Sequence, residues 1–79
     1  MTNDQLRQLS ATLLGEVRYI VEASDPYKAE RWAEWMTLGA FRMAQVLGRQ
    51  DIADMLTKAR IMHAAALAYA TGRTYEVPR

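Results

Sequence analysis

The stretch AQVLGRQDIADML, from Ala44 to Leu56, contains a helix stop and a helix start within a few residues. Gly48 is well placed to adopt the left-handed backbone conformation that commonly ends a helix. Asp51 suits the start of the next helix, because a carboxylate is favourable near the positive end of the helix dipole. A connection this short favours neighbouring helices that run antiparallel. The stretch therefore predicts that the chain turns back on itself here.

Similar signals mark the other helix ends. Thr2 and Gln5 have the spacing of a capping box, and apolar residues then recur at steps of three and four. Ser24-Asp25-Pro26 predicts a second start, because aspartate is a good N-cap and proline suits the first helical turn. Gly72 is placed to end the last helix. We therefore predict helices over residues 4–23, 26–47 and 52–71.

The predicted fold class is all-α. Both connections are short, so the simplest arrangement is a compact antiparallel three-helix bundle, followed by a short extended C-terminal tail. A length of 79 residues leaves no room for a second domain, and we predict one helical domain over residues 1–79.

Composition excludes several classes of protein. Hydrophobic residues make up 51% of the chain, so it is not of the disordered type, and the absence of cysteine removes disulfides and thiolate metal sites. A formal net charge of +1 is too small for a typical nucleic-acid binder. The sequence shows no signal peptide and no apolar run of about 20 residues. We expect a cytoplasmic protein with no membrane contact.

The stretch around Gly48 also raises the question of DNA binding. Ala44 and Gly48 match the small residue and the turn glycine of a helix-turn-helix motif. The match then fails, because Asp54 and Thr57 stand where that motif has buried aliphatic residues. Asp51 and Asp54 would also repel phosphates at the end of the helix that should meet the DNA. A DNA-binding regulator is therefore the weakest of three hypotheses, and we do not expect a nucleic-acid partner.

No combination of residues indicates catalysis. His63, the only histidine, falls near the middle of the apolar face of the third predicted helix, and no Ser, Cys or carboxylate lies near it at helical spacing. We interpret it as a core or interface histidine that a carbonyl or a tyrosine hydroxyl satisfies. Glu30 and Glu34 are four residues apart, but a di-metal bundle would also need Glu-x-x-His motifs. We predict no catalytic residue, no metal ligand and no cofactor.

The second predicted helix carries apolar residues on two sides. Its main stripe, expected to be the core, is formed by Ala29, Trp32, Met36, Gly39, Ala40, Met43, Val46 and Leu47, with Trp35 at its edge. Phe41 and Leu38 lie on the opposite side, and Phe41 is about 180° from Trp32 around the helix. An amphipathic helix needs only one stripe, so the second predicts another neighbour, which is either another helix of the same chain, with both stripes in one core, or a partner that covers an exposed patch. The predicted partner-binding residues are Tyr19, Tyr27, Glu34, Leu38, Phe41, Arg73 and Tyr75.

The preferred functional hypothesis is a small helical protein without enzymatic activity. It would bind a partner protein stoichiometrically, as a regulator, adaptor or inhibitor of the kind that phages and mobile elements encode, and would itself form a homodimer. The second hypothesis is a helical oligomer that binds a small anionic ligand such as a nucleotide. On the preferred hypothesis, Phe41→Glu splits the dimer and Trp32→Glu unfolds the chain.

Overall fold

The computed structural model describes residues 2–72, and this part of the chain is helical apart from short connections. Its helices are α1 (Asn3–Leu14), α2 (Val17–Glu22), α3 (Pro26–Val46) and α4 (Gln50–Thr71). α1 and α2 follow each other closely and together form what we call the first rod, so the fold has three rods. The prediction of an all-α fold with three helices is confirmed. The predicted extended tail lies outside the described residues.

The capping residues predicted at four helix ends are confirmed. The Thr2 hydroxyl accepts from the Gln5 N–H at 3.1 Å, and the Gln5 side chain accepts from the Thr2 N–H at 2.9 Å. Asp25 accepts from the Lys28 N–H at 3.2 Å, with Pro26 in the first turn of α3. The left-handed positions after α3 and α4 are glycines, with φ of 66° and 68°.

The single helix predicted over residues 4–23 is interrupted. The Gly15 N–H donates to the Thr12 carbonyl at 3.0 Å, and the Glu16 N–H donates to the Leu13 carbonyl at 3.2 Å. These bonds span three residues instead of four, which tightens the chain into a turn between α1 and α2. α1 also begins at Asn3, one residue before the predicted start.

The start of the last helix also differs from the prediction. α4 begins at Gln50, with Arg49 rather than Asp51 at the N-cap position. Asp51 lies in the first turn, where its carboxylate accepts two hydrogen bonds from the Arg49 guanidinium at 3.0 and 2.9 Å. The hydrogen bonds from Arg49 lower the pKa of Asp51 to about 2. Asp51 therefore pairs with the N-cap residue at the start of α4.

Two clusters of buried side chains form the core. One lies near the α3–α4 connection and consists of Leu6, Leu13, Ala40, Ala44, Ile52, Ala53 and Leu56, with Leu9 and Phe41 packed against it. The other lies towards the opposite end and consists of Ile20, Ala29, Ala33 and Ala66, with Val17, Val21, Ala23 and Leu67 packed against it. α4 contributes to both clusters and packs against every other helix. It is thus the central element of the fold.

The buried face of α3 is not the predicted one. It consists of small residues, namely Ala29, Ala33, Thr37, Ala40 and Ala44. The large side chains of the predicted core stripe, Trp32, Met36 and Met43, are exposed instead. Small residues allow the backbones of α3 and α4 to approach closely, and bulky side chains on that line would hold the helices apart. The prediction that Trp32 belongs to the core is wrong.

Candidate functional site

One side of the molecule presents large apolar side chains to solvent. Trp32 is 62% exposed, Trp35 is 75% exposed and Val46 is 80% exposed. We call the surface that they form with their neighbours the tryptophan face; it consists of Leu9, Tyr19, Trp32, Trp35, Met36, Gly39, Met43 and Val46. Single exposed apolar residues are ordinary on protein surfaces, whereas a contiguous apolar patch that contains two tryptophans is a candidate for an interaction site.

The tryptophan face is concave where the first rod meets α3. A groove of about 230 Å³ runs between them and is lined on one side by Leu9, Leu13 and Tyr19, and on the other by Trp32 and Met36. A second depression continues along α3 past Trp35, Gly39 and Met43. The two depressions share Leu9, Trp32 and Met36. They therefore form one continuous apolar surface that crosses from the first rod onto α3.

Gly39 lies at the middle of this surface and has no steric reason to be glycine within the chain. A methyl group built at its Cα would meet no atom within 4 Å, and its φ is not in the left-handed region. Glycine in the interior of a helix costs about 1 kcal/mol relative to alanine. Neither the packing nor the backbone conformation of Gly39 within residues 2–72 offsets this cost.

Two cations border the tryptophan face at the N-terminal end of α3. Lys28 and Arg31 line a cleft of about 450 Å³ together with Trp32 and Trp35. Lys28 also lines a smaller depression with Tyr19 and Asp25. This end of the face therefore combines aromatic rings with two cations, whereas α3 carries a single charged residue, Arg42, between Met36 and Val46.

The predicted partner-binding residues do not form one surface. Tyr19 lines the groove beside Trp32, on the tryptophan face. Phe41 is half-buried against the core cluster near the α3–α4 connection. The Glu34 carboxylate lies 3.7 Å from the Arg60 guanidinium of α4. Binding through these residues stays a prediction, but the structure separates Tyr19 from Phe41.

The remaining predicted residues are Tyr27, Leu38, Arg73 and Tyr75. Tyr27 and Leu38 are exposed on α3, and neither lines a depression of the tryptophan face. Arg73 and Tyr75 lie outside the described residues. Sequence reasoning missed the exposure of Trp32, Trp35 and Met43, because it assigned the largest apolar side chains of α3 to the core.

His63 is a core histidine, as predicted. It is almost completely buried, and its Nε2 contacts the carbonyl of Leu13 at 2.5 Å. Because a carbonyl can only accept, the proton of a neutral ring is on Nε2 and Nδ1 is an acceptor. Nδ1 has no hydrogen-bond partner among the described residues. The contact between His63 and the Leu13 carbonyl therefore holds α4 against the end of α1.

The acidic residues near His63 do not form a metal site. Glu30 lies one turn from Glu34, and its pKa is raised by burial and then by the charge of Glu34. Across residues 2–72, no group of three or more His, Cys, Asp or Glu side chains is arranged to hold a metal ion. The tryptophan face is therefore the strongest candidate for a functional surface in the described part of the chain.

No helix within residues 2–72 combines the length and the apolar character needed to cross a bilayer. No protein-family model, curated protein or solved structure matches this chain.

Proposed function

We propose that this protein functions by binding, without catalysis, and that the tryptophan face docks on the apolar side of an α-helix of a protein partner. The observation that carries the proposal is the exposure of Trp32 and Trp35 on consecutive turns of α3. A protein of this kind acts stoichiometrically, as a regulator, adaptor or inhibitor of what it binds.

The residue types support binding to protein. Tryptophan and tyrosine are enriched among the residues that dominate binding energy, because each can bury about 150–250 Å² and still make one directed polar contact. Met36 and Met43 add flexible side chains that adapt to a partner's shape. The cations Lys28 and Arg31 lie at the edge of the patch, as polar residues do at the rim of a protein interface.

The shape of the face supports a helix as the occupant. Its α3 residues run from Trp32 to Val46, a length of about 21 Å at 1.5 Å per residue. A partner helix of about four turns matches this length. Such a helix would lie along the exposed side of α3 and could reach the groove that Leu9 and Tyr19 border. Recognition of a helix by an apolar surface of this kind is a common mode of protein binding.

Site-specific photocrosslinking in cells tests this proposal. A benzophenone amino acid replaces Trp35 or Met43 on the tryptophan face, and, as controls, Leu38 at the flank of that face or Lys58 on α4. We expect a defined crosslinked polypeptide from Trp35 and Met43 that is absent from Lys58 and is lost when Trp32→Glu is added. Crosslinks from Leu38 alone, or equal crosslinks from all four positions, would overturn the proposal.

A second candidate function is supported by the cleft at the N-terminal end of the face. Lys28 and Arg31 flank two indole rings there, and a planar anion such as a nucleotide could stack on an indole while its phosphates meet the cations. A ligand that binds only the folded chain raises the melting temperature. A shift with ATP or GTP that Lys28→Gln abolishes would support this candidate, and no shift across a nucleotide panel would exclude it.

A further inference from the structure

We infer that the helix which covers the tryptophan face is α3 of a second copy of this chain, crossing antiparallel at Gly39. This inference rests on the proposed function, and it specifies the partner. It also centres self-association on Gly39, about 160° around α3 from Phe41 and about 100° from Leu38, the two residues on which the sequence alone centred it.

The large apolar residues that lie within about 40° of Gly39 around α3 are spaced symmetrically about it. Trp32 and Trp35 lie seven and four residues before Gly39, and Met43 and Val46 lie four and seven residues after it, whereas Met36 and Leu38 lie further to either side. In a two-fold antiparallel pair of helices, residues equally far before and after the crossing point lie opposite each other. Trp35 then meets Met43 of the second copy, and Trp32 meets its Val46. Self-pairing therefore places each large apolar side chain of this stripe opposite another apolar side chain.

Gly39 suits the point at which two helices cross. A glycine at the crossing point lets two helix backbones approach at the short end of the usual 8–10 Å range of interaxial distances. No described residue of the chain would lie within 4 Å of a side-chain methyl at this position, and no contact among the described residues offsets the helix-propensity cost of the glycine. Close approach of a second helix at this position gives the glycine a structural role.

The area of the tryptophan face and the charges that border it also suit pairing of two copies. The exposed side chains of the tryptophan face offer on the order of 600 Å², so two copies would bury roughly 1,200 Å², the lower limit for stable interfaces. The cations that border the stripe are Lys28, Arg31 and Arg42. The antiparallel pairing places Arg31 opposite Leu47 and Arg42 opposite Met36, and α3 of the second copy ends before the level of Lys28, so none of these three cations lies opposite another. The patch is thus large enough and free of like-charge pairs.

Analytical ultracentrifugation of the purified full chain over about 1–300 μM tests the inference. Wild-type protein is expected to pass from the 9.0 kDa monomer to a dimer with increasing concentration. Trp35→Glu and Gly39→Leu should each weaken the dimer by about 100-fold or more, as expected for residues at the centre of an interface. Leu38→Glu makes a matched change from an exposed apolar residue to glutamate on the same helix, and it should change the dissociation constant by less than about 3-fold.

Far-UV circular dichroism checks that the variants fold. Leucine favours the helix more than glycine does, so a weaker dimer of Gly39→Leu would not result from loss of helix. A chain that stays monomeric throughout, or a dimer that Leu38→Glu breaks while Trp35→Glu and Gly39→Leu do not, overturns the inference. A monomeric chain whose Trp35 and Met43 positions still crosslink to another polypeptide in cells would disprove the dimer and leave the proposed function intact. A monomeric chain that also gives no crosslink from Trp35 and Met43 would overturn both proposals.

Discussion

The imidazole of His63 compensates for the interruption of the first rod. The last carbonyls of a helix lack partners within the helix, and the break after Leu14 creates such carbonyls in the interior of the fold. The Leu13 carbonyl accepts from the Glu16 N–H and also lies against His63 Nε2. A buried carbonyl beside a buried ring therefore links the end of α1 to the middle of α4.

His63→Ala is expected to lower the free energy of unfolding by about 2–4 kcal/mol, because it removes a buried hydrogen bond and leaves a cavity. Urea unfolding followed by circular dichroism measures the change. Met62→Ala, at the exposed neighbouring position, should change the stability by less than about 1 kcal/mol. Equal effects of the two substitutions would show that the imidazole is not part of the core.

Hydrophobic periodicity located the helices but not the buried face of α3. In the first rod the apolar pattern and the observed burial agree. Leu6, Leu13 and Ile20 are seven residues apart, which places them on one side of a helix, and all three are buried. In α3 the core residues are alanines and a threonine at steps of three and four, a pattern present in the sequence but outweighed by Trp32 and Trp35. Which stripe turns inward depends on the distance to α4, and the sequence of α3 alone does not contain that distance.

This difference reverses the effects expected for two substitutions in α3. Phe41→Glu should strongly destabilise the monomer, because Phe41 packs against the core cluster near the α3–α4 connection and a carboxylate there would be partly buried. Trp32→Glu should leave the helix content and the monomer stability nearly unchanged, because the indole is mostly exposed. Thermal unfolding at a few micromolar protein separates the two.

An unfolded Trp32→Glu chain together with a folded Phe41→Glu chain would restore the core face first predicted from the sequence. It would also remove the tryptophan face as a surface.

At the scale of the whole molecule, the described residues form a thin body of 38 × 23 × 14 Å. Three rods of this length cannot enclose one another, so each has a side that faces solvent. The sequence indicated that this chain has more apolar surface than its own helices can cover, and the exposure of Trp32 and Trp35 agrees with that argument. The sequence did not identify which side of the molecule carries this apolar surface, because the answer depends on which face of α3 is buried.

A core of this size seldom supplies more than about 3–5 kcal/mol, so association should contribute visibly to the stability of the whole molecule. If the tryptophan face pairs two copies, unfolding includes dissociation, and the melting temperature of the wild-type protein rises with its concentration. A 100-fold increase in concentration adds roughly 1.4 kcal/mol per chain, which corresponds to about 5–10 °C in a domain of this length. Differential scanning calorimetry measures the shift. The melting temperature of Trp35→Glu should not depend on concentration, whereas that of Leu38→Glu should follow the wild-type protein. A concentration-independent wild-type melting temperature would mean that the exposed indoles are not covered by a second copy.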